Sequence, residues 1–183
     1  NRRDFARTPD SDTVLDKLSK AGFDVLSVGK IDDIFGHRGI TRKHHTLGNK
    51  NCIQKTLELL NKPFQGLLFV NLIEFDMIYG HRNDPQGYYE ALQVFDNAIP
   101  EIQERLSLED LVIVSADHGV DPTTESTDHS REFVPLLVFG PKVRGVDLGT
   151  RDTFADVGAT ITENFKVEPP SLGISFLEDL VRP

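Results

Sequence analysis

The run Gly66-Leu67-Leu68-Phe69-Val70-Asn71-Leu72 constrains the fold more than any other stretch of this chain. It is short and almost continuously apolar, the pattern of a strand covered on both faces. Leu111-Val112-Ile113-Val114 reads as a second buried strand. Val134-Pro135-Leu136-Leu137-Val138-Phe139 reads as a third, with a Pro that fits an edge or an irregular start. Phe23-Asp24-Val25-Leu26-Ser27-Val28-Gly29 is a strand ahead of them. Helical stripes separate these runs. Val14, Leu15 and Leu18 stand at helical spacing over 13–21, with Gly22 as a C-terminal stop. Cys52, Ile53, Thr56, Leu57 and Leu60 share one face over 49–61. A stripe from Tyr88 to Leu106 predicts a helix over 86–106, kinked at Pro100. Phe154, Val157, Ile161 and Phe165 give a last strong helix, and 174–181 a short terminal one. Residues 30–48, 73–85 and 117–131 read as loops. Strands alternating with helices predict an α/β fold with a largely parallel sheet, whose ligands lie beyond the carboxyl ends of the strands.

Composition narrows the function. At 183 residues the chain is long enough for a domain with a real core. Its net charge of −9 opposes binding to a nucleic-acid backbone or an anionic membrane. No stretch approaches the roughly 20 apolar residues of a membrane helix, and no signal peptide is evident. Cys52 is the single cysteine, so no internal disulfide forms, and a reducing, cytoplasmic setting is expected. The chain opens Asn1-Arg2-Arg3-Asp4 without Met and stays polar to residue 13, which reads as the middle of a longer sequence.

The chemistry resides in three short segments. They are Glu74-Phe75-Asp76-Met77-Ile78-Tyr79-Gly80-His81, Ala116-Asp117-His118-Gly119 and Thr127-Asp128-His129. Each by itself is an ordinary polar turn. Two of them directly follow predicted strands, where loops converge on one crevice. Carboxylate and imidazole suit a divalent metal where no thiolate is offered. Asp76, His81, Asp117, His118 and His129 are too many ligands for one catalytic ion with open positions, and about right for two. A two-metal site suggests phosphoryl transfer. An Asp/His set suits Mn, Zn or Fe better than Ca. Asp76 and His81, five residues apart, fit a loop pair better than one face of a helix. His37, and His44-His45 in the basic stretch Thr41–His45, read as solvated. Gly29-Lys30 follows a strand but lacks the rest of a phosphate-loop pattern, and no Gly-x-Ser-x-Gly elbow occurs.

These segments resemble bacterial phosphopentomutase, of the alkaline-phosphatase superfamily. The likeness runs through Phe69–Asp76, Tyr79–Arg82, Asp117-His118-Gly119 and Thr127–Glu132. It extends to Val28–Ile31, Asp84–Tyr88, Phe133–Leu137 and Thr153–Thr160, nearly the whole chain. The resemblance implies a three-layer core, incomplete here, and interconversion of ribose or deoxyribose 1-phosphate and 5-phosphate in nucleoside salvage. It implies two Mn²⁺ ions, with Zn or another divalent ion as the alternative. By position, Asp76, His81 and His129 would hold one ion and Asp117 and His118 the other, with Lys30 near the substrate phosphate. Glu74 stands where the family often has Asp. The family's further metal-binding Asp, its phosphoryl-carrying Thr and its cap domain lie upstream of the part matched here. Residues 1–183 are therefore expected to be the C-terminal part of the metal-binding core and, alone, inactive. The rival readings are another phosphomutase or phosphodiesterase of the superfamily, or a non-catalytic metal-binding module.

Overall fold

In the computed structural model, which describes residues 7–181, Asp24–Val28 forms β1 at the centre of a three-stranded parallel sheet. Arg42–His44 (β2) and Gly66–Val70 (β3) flank it, giving the order β2-β1-β3. Leu26 lies opposite both Arg42 and Leu68. The polar opening Asn1-Arg2-Arg3-Asp4 lies outside the described residues. Val25 to Val28 are buried, as a central strand requires, whereas β3 is half-buried along its length. Gly66 starts β3 because a Cβ there would stand 1.8 Å from the Asp24 carbonyl oxygen.

The chain divides into two compact units. The sheet belongs to the first, made of residues 7–46, Pro63–Asn71 and 145–181, together with four helices. Val14–Lys20 (α1) begins at a capping box, in which Thr13 Oγ1 accepts from the Asp16 N–H and the Asp16 carboxylate accepts from the Thr13 N–H. Ile31–Ile34 (α2) follows β1 directly. Leu15, Leu18, Val25 and Ile31 form the buried core, with Phe23, Phe69, Ile161 and Phe165 against it. Ala155–Asn164 (α5) and Leu177–Leu180 (α6) complete the unit. Asp156, in the first turn of α5, is buried and accepts from Arg151 Nε and the Ile174 N–H, both at 2.8 Å. Thr160 Oγ1 accepts from the Phe176 N–H, so the 174–176 segment is fastened to α5 and Phe176 is fully buried.

Residues 30–48 are not the plain loop expected from their polarity: they hold α2 and β2. Arg42-Lys43-His44 escapes a hydrophobicity reading because it is a charged edge strand, the kind that resists further pairing. His37 is exposed but engaged. Its Nδ1–H donates to Asp32 Oδ2 at 2.7 Å, and Lys43 Nζ donates to the same oxygen at 3.3 Å. Burial pushes the Asp32 carboxyl up, but the hydrogen bonds from His37 and Lys43 outweigh it and hold the group below the ordinary carboxylate range. A depressed folded-state pKa stabilises above the unfolded value, about pH 4, and that stabilisation is lost as pH falls through the lower folded value. Asp32→Asn is therefore expected to lower stability at neutral pH and to flatten its fall below about pH 4. Urea denaturation midpoints across pH 2.5–7 measure this, and two parallel acid limbs would contradict it.

The second unit holds Gly48–Leu60 (α3) and Pro85–Gln103 (α4), whose inward faces carry Cys52, Ile53, Leu59, Ala98 and Ile102. Asp84 Oδ1 caps α4 by accepting from the Gly87 N–H, Pro85 occupies the first turn, and the helix continues through Pro100 to Gln103. Val112–Ser115 (β4) and Leu136–Phe139 (β5) pair antiparallel, with Ser115 opposite Leu136. A parallel partner needs a crossover that carries the chain back along the strand. The connection between β4 and β5 contains no helix among the described residues, so the chain returns antiparallel. Both strands of this ribbon are half-buried apart from the exposed Ser115 and Leu137. Residues 73–85, expected as a loop, contain a π-helical turn, Phe75–Gly80.

Candidate metal centre

The π-turn explains a spacing that an α-helix would not. Its wider i→i+5 hydrogen bonding closes a turn in about five residues. The His81 N–H donates to the Asp76 carbonyl at 3.0 Å, so residues five apart stand over one another. His81 Nε2 lies 3.3 Å from Asp76 Oδ1. The loop after β4 supplies the third group, with His129 Nε2 3.2 Å from the same oxygen. Asp76, His81 and His129 thus offer three ligand atoms within 4.8 Å of one another.

Asp76 Oδ1 is buried and accepts no hydrogen bond among the described residues, although two imidazole nitrogens stand within 3.3 Å. Such an oxygen costs free energy unless something compensates it. The nitrogens approach without the angles that a hydrogen bond needs, an arrangement suited to three donors sharing a cation. The tautomer of His81 fits as well. Its Nδ1–H donates to the Thr127 carbonyl at 2.5 Å, leaving the Nε2 lone pair toward Asp76. Metal-binding imidazoles are typically oriented by such a partner. The residues therefore fit a divalent ion bound through nitrogen and carboxylate.

Asp117 and His118 form a second, smaller group. His118 Nδ1–H donates to the Gly119 carbonyl at 3.1 Å, and its Nε2 lies 3.7 Å from Asp117 Oδ2. No third His, Cys, Asp or Glu among the described residues joins this pair within ligand distance. The two groups adjoin, for the His129 ring stacks on His118 at 3.7 Å between centroids and on His81 at 4.9 Å.

Local structure holds this arrangement. Gly119 and Ser130 form an isolated antiparallel bridge that closes the loop between His118 and His129. A side chain at Gly119 would meet the Ser130 carbonyl at 2.6 Å. Asn83 Nδ2 donates to the Thr124 carbonyl at 2.7 Å, a second tie from the π-turn side to the same loop. Within that loop the Asp121 carboxylate accepts from the hydroxyl and N–H of Thr123, which hold it below the ordinary carboxylate range. Thr124 Oγ1 donates to the Asp121 carbonyl. Both hydroxyls serve the turn, in keeping with an ordinary polar loop. Tyr88 packs on Phe75, and burial, then the charge of Asp76, pushes its phenol up, so it stays neutral beside the site.

The structure thus gathers all five expected ligands in one unit. Lys30 lies in the other, following Gly29 at the end of β1 and preceding α2. Asn83, Tyr88 and the contacts of Glu74 escaped the sequence reading. Only Asn83 carried a signal, as an Asn before Asp-Pro, where left-handed backbone is common; its φ is +50°. A second cluster, Asp32, Asp33 and His37, also falls within ligand distance. Lys43 already neutralises its buried carboxylate, which makes it an ion-pair network.

The profile of the Metalloenzyme superfamily matches residues 1–169. The chain is 58% identical over 180 residues to a phosphopentomutase of Herpetosiphon aurantiacus, covering 98% of this chain and 46% of that protein. It is 56% identical over 177 residues to one of Carboxydothermus hydrogenoformans, covering 96% and 45%. The chain thus spans a little under half the length of these curated relatives. Among solved structures it resembles a Leishmania mexicana phosphoglycerate mutase crystallised at low cobalt concentration. The TM-score is 0.66 at 16% identity, over 88% of this chain and 38% of that one. A second likeness, to the PH0037 protein of Pyrococcus horikoshii, has a TM-score of 0.55 at 23% identity, over 69% and 35%. Both are similarities of fold.

Proposed function

The chain belongs to the Metalloenzyme superfamily, and from that premise we propose that it supplies the metal cradle of a phosphopentomutase. The substrates are pentose phosphates of the cytoplasm, ribose or deoxyribose 1-phosphate and 5-phosphate, interconverted through a phosphoenzyme in nucleoside salvage. The observation that carries the reading is the buried, hydrogen-bond-free Asp76 Oδ1 flanked by His81 and His129 Nε2, in a chain 58% identical to a phosphopentomutase. Asp76, His81 and His129 hold one Mn²⁺, while Asp117 and His118 contribute to a second. When bound, such ions neutralise phosphate charge and stabilise the charge that develops in line during transfer. The protein's part is positional. His81 keeps its Nε2 lone pair free by donating from Nδ1 to Thr127, and the Gly119–Ser130 bridge holds His129 beside His118. Lys30 contributes a cation toward the substrate phosphate. Residues 1–183 form part of the metal-binding core domain, and the threonine that carries the phosphoryl group is not one of theirs.

Calorimetry with Mn²⁺, paired with assays on ribose 5-phosphate, phosphoglycerate and a phosphodiester, tests this. The 183-residue protein is expected to show one tight and one weak site and negligible turnover. Robust turnover of phosphoglycerate or the diester would assign another activity in the superfamily. Robust pentose-phosphate turnover would place the nucleophile within these residues. No binding would remove the metal reading.

A further inference from the structure

We propose that Glu74 is a positioning residue that fixes Asp76 by capping α3 from outside the helix. The inference rests on the reading of Asp76, His81 and His129 as a metal cradle. It begins with a helix that cannot cap itself. Leu47 precedes α3 and offers no side-chain oxygen. Gly48, at its first turn, has φ +79°, a left-handed conformation that side chains rarely adopt. A Cβ at Gly48 would also stand 2.7 Å from Glu74 Oε1. The free N–H groups of this end must therefore find their acceptor elsewhere.

Glu74 provides it. Its Oε2 accepts from the Asn49 N–H at 2.6 Å, and its own N–H donates to Asn49 Oδ1 at 3.0 Å. This is the reciprocity of a capping box, assembled from two segments 25 residues apart. The carboxylate also sits where a helix favours negative charge. Asn49 is 4% exposed, and its Nδ2 has no hydrogen-bond partner among the described residues. The clamp thus leaves a buried donor unmet among the described residues.

The consequence for the metal centre is geometric. Glu74 immediately precedes the π-turn, two residues before Asp76. Locking both its backbone N–H and its side chain onto α3 sets where the π-turn starts. It thereby sets where Asp76 Oδ1 lies relative to His81 and His129. Asp76 makes no hydrogen bond of its own through that oxygen, so its position depends on the backbone that carries it.

The test measures Mn²⁺ affinity by calorimetry and the visible spectrum of the Co²⁺-loaded protein, for Glu74→Ala, Glu74→Gln and Asn49→Ala. Ile53→Val, on the same helix, serves as a control of comparable destabilisation, and Asp76→Asn as a ligand control. Glu74→Ala and Asn49→Ala are expected to weaken the tight site about 10-fold or more and to shift the Co²⁺ bands, as loss of an orienting partner does. Glu74→Gln, which keeps an acceptor for the Asn49 N–H, is expected to recover most of the affinity. Ile53→Val should leave affinity and spectrum unchanged. Unchanged affinity in both clamp variants, or an equal loss in Ile53→Val, would overturn the inference. Unchanged affinity in Asp76→Asn would overturn the metal reading beneath it.

Discussion

Asp76→Ala is expected to weaken Mn²⁺ binding at the tight site at least about 100-fold, while leaving the metal-free protein as stable as before or up to about 1 kcal/mol more stable. The two halves come from the same atom. Asp76 Oδ1 is the oxygen that His81 and His129 both face, so removing it takes away a ligand and dissolves the cluster. Losing an orienting partner alone costs 10–100-fold in affinity, and a ligand costs more. Without metal, the same oxygen is a buried acceptor with no hydrogen bond, a state that carries a penalty of roughly 1–3 kcal/mol. Deleting it relieves that penalty, offset by the small cavity left by a half-buried side chain. Calorimetry gives the affinity and urea denaturation in chelator gives the stability. A variant that loses stability in chelator by several kcal/mol while keeping its affinity would show Asp76 to be a structural carboxylate.

The second large effect lies far along the chain, at Asp156. Asp156→Ala is expected to destabilise the protein by about 3 kcal/mol, a shift in Tm of roughly 6–12 °C for a chain of this size. Its carboxylate is 4% exposed and joins Arg151 Nε to the Ile174 N–H, so its loss releases two charge-assisted hydrogen bonds at once. The figure sits at the lower end for a broken buried pair. The Arg151 side chain is 24% exposed and retains the Ile174 carbonyl at 3.1 Å and the face of Phe176, so its charge is not stranded. Asp156→Asn keeps one acceptor and should lose less than half as much. Thermal unfolding separates the two variants, and a change in Tm under about 2 °C for Asp156→Ala would contradict the account.

Much of this protein is legible in its sequence because its elements are set by local patterns. The apolar run Gly66–Leu72 marks β3, and the stripes over α3, α4 and α5 place those helices within three residues of where periodicity puts them. The five metal-ligand candidates are legible for another reason. Carboxylate and imidazole gather in three segments, two of them directly after apolar runs, a set that suits a divalent metal, and a family resemblance runs through the same residues. Local patterns fail where a residue's partner is distant or its role is geometric. Arg42-Lys43-His44 is a strand only because β1 lies beside it. The Asp76–His81 pair is brought together by i→i+5 hydrogen bonding that no hydrophobic periodicity reports. The sequence by itself therefore determined the main helices and strands, the α/β class and the five candidate ligands, all of which follow from side-chain chemistry and short-range spacing. Tertiary structure alone decided that β5 returns antiparallel to β4, that three of the candidate ligands share one oxygen's surroundings while Asp117 and His118 stand as a pair, and that Glu74 caps a helix 25 residues before it. Each of these depends on where segments distant in the chain are held, a quantity set by packing and hydrogen bonding across the fold.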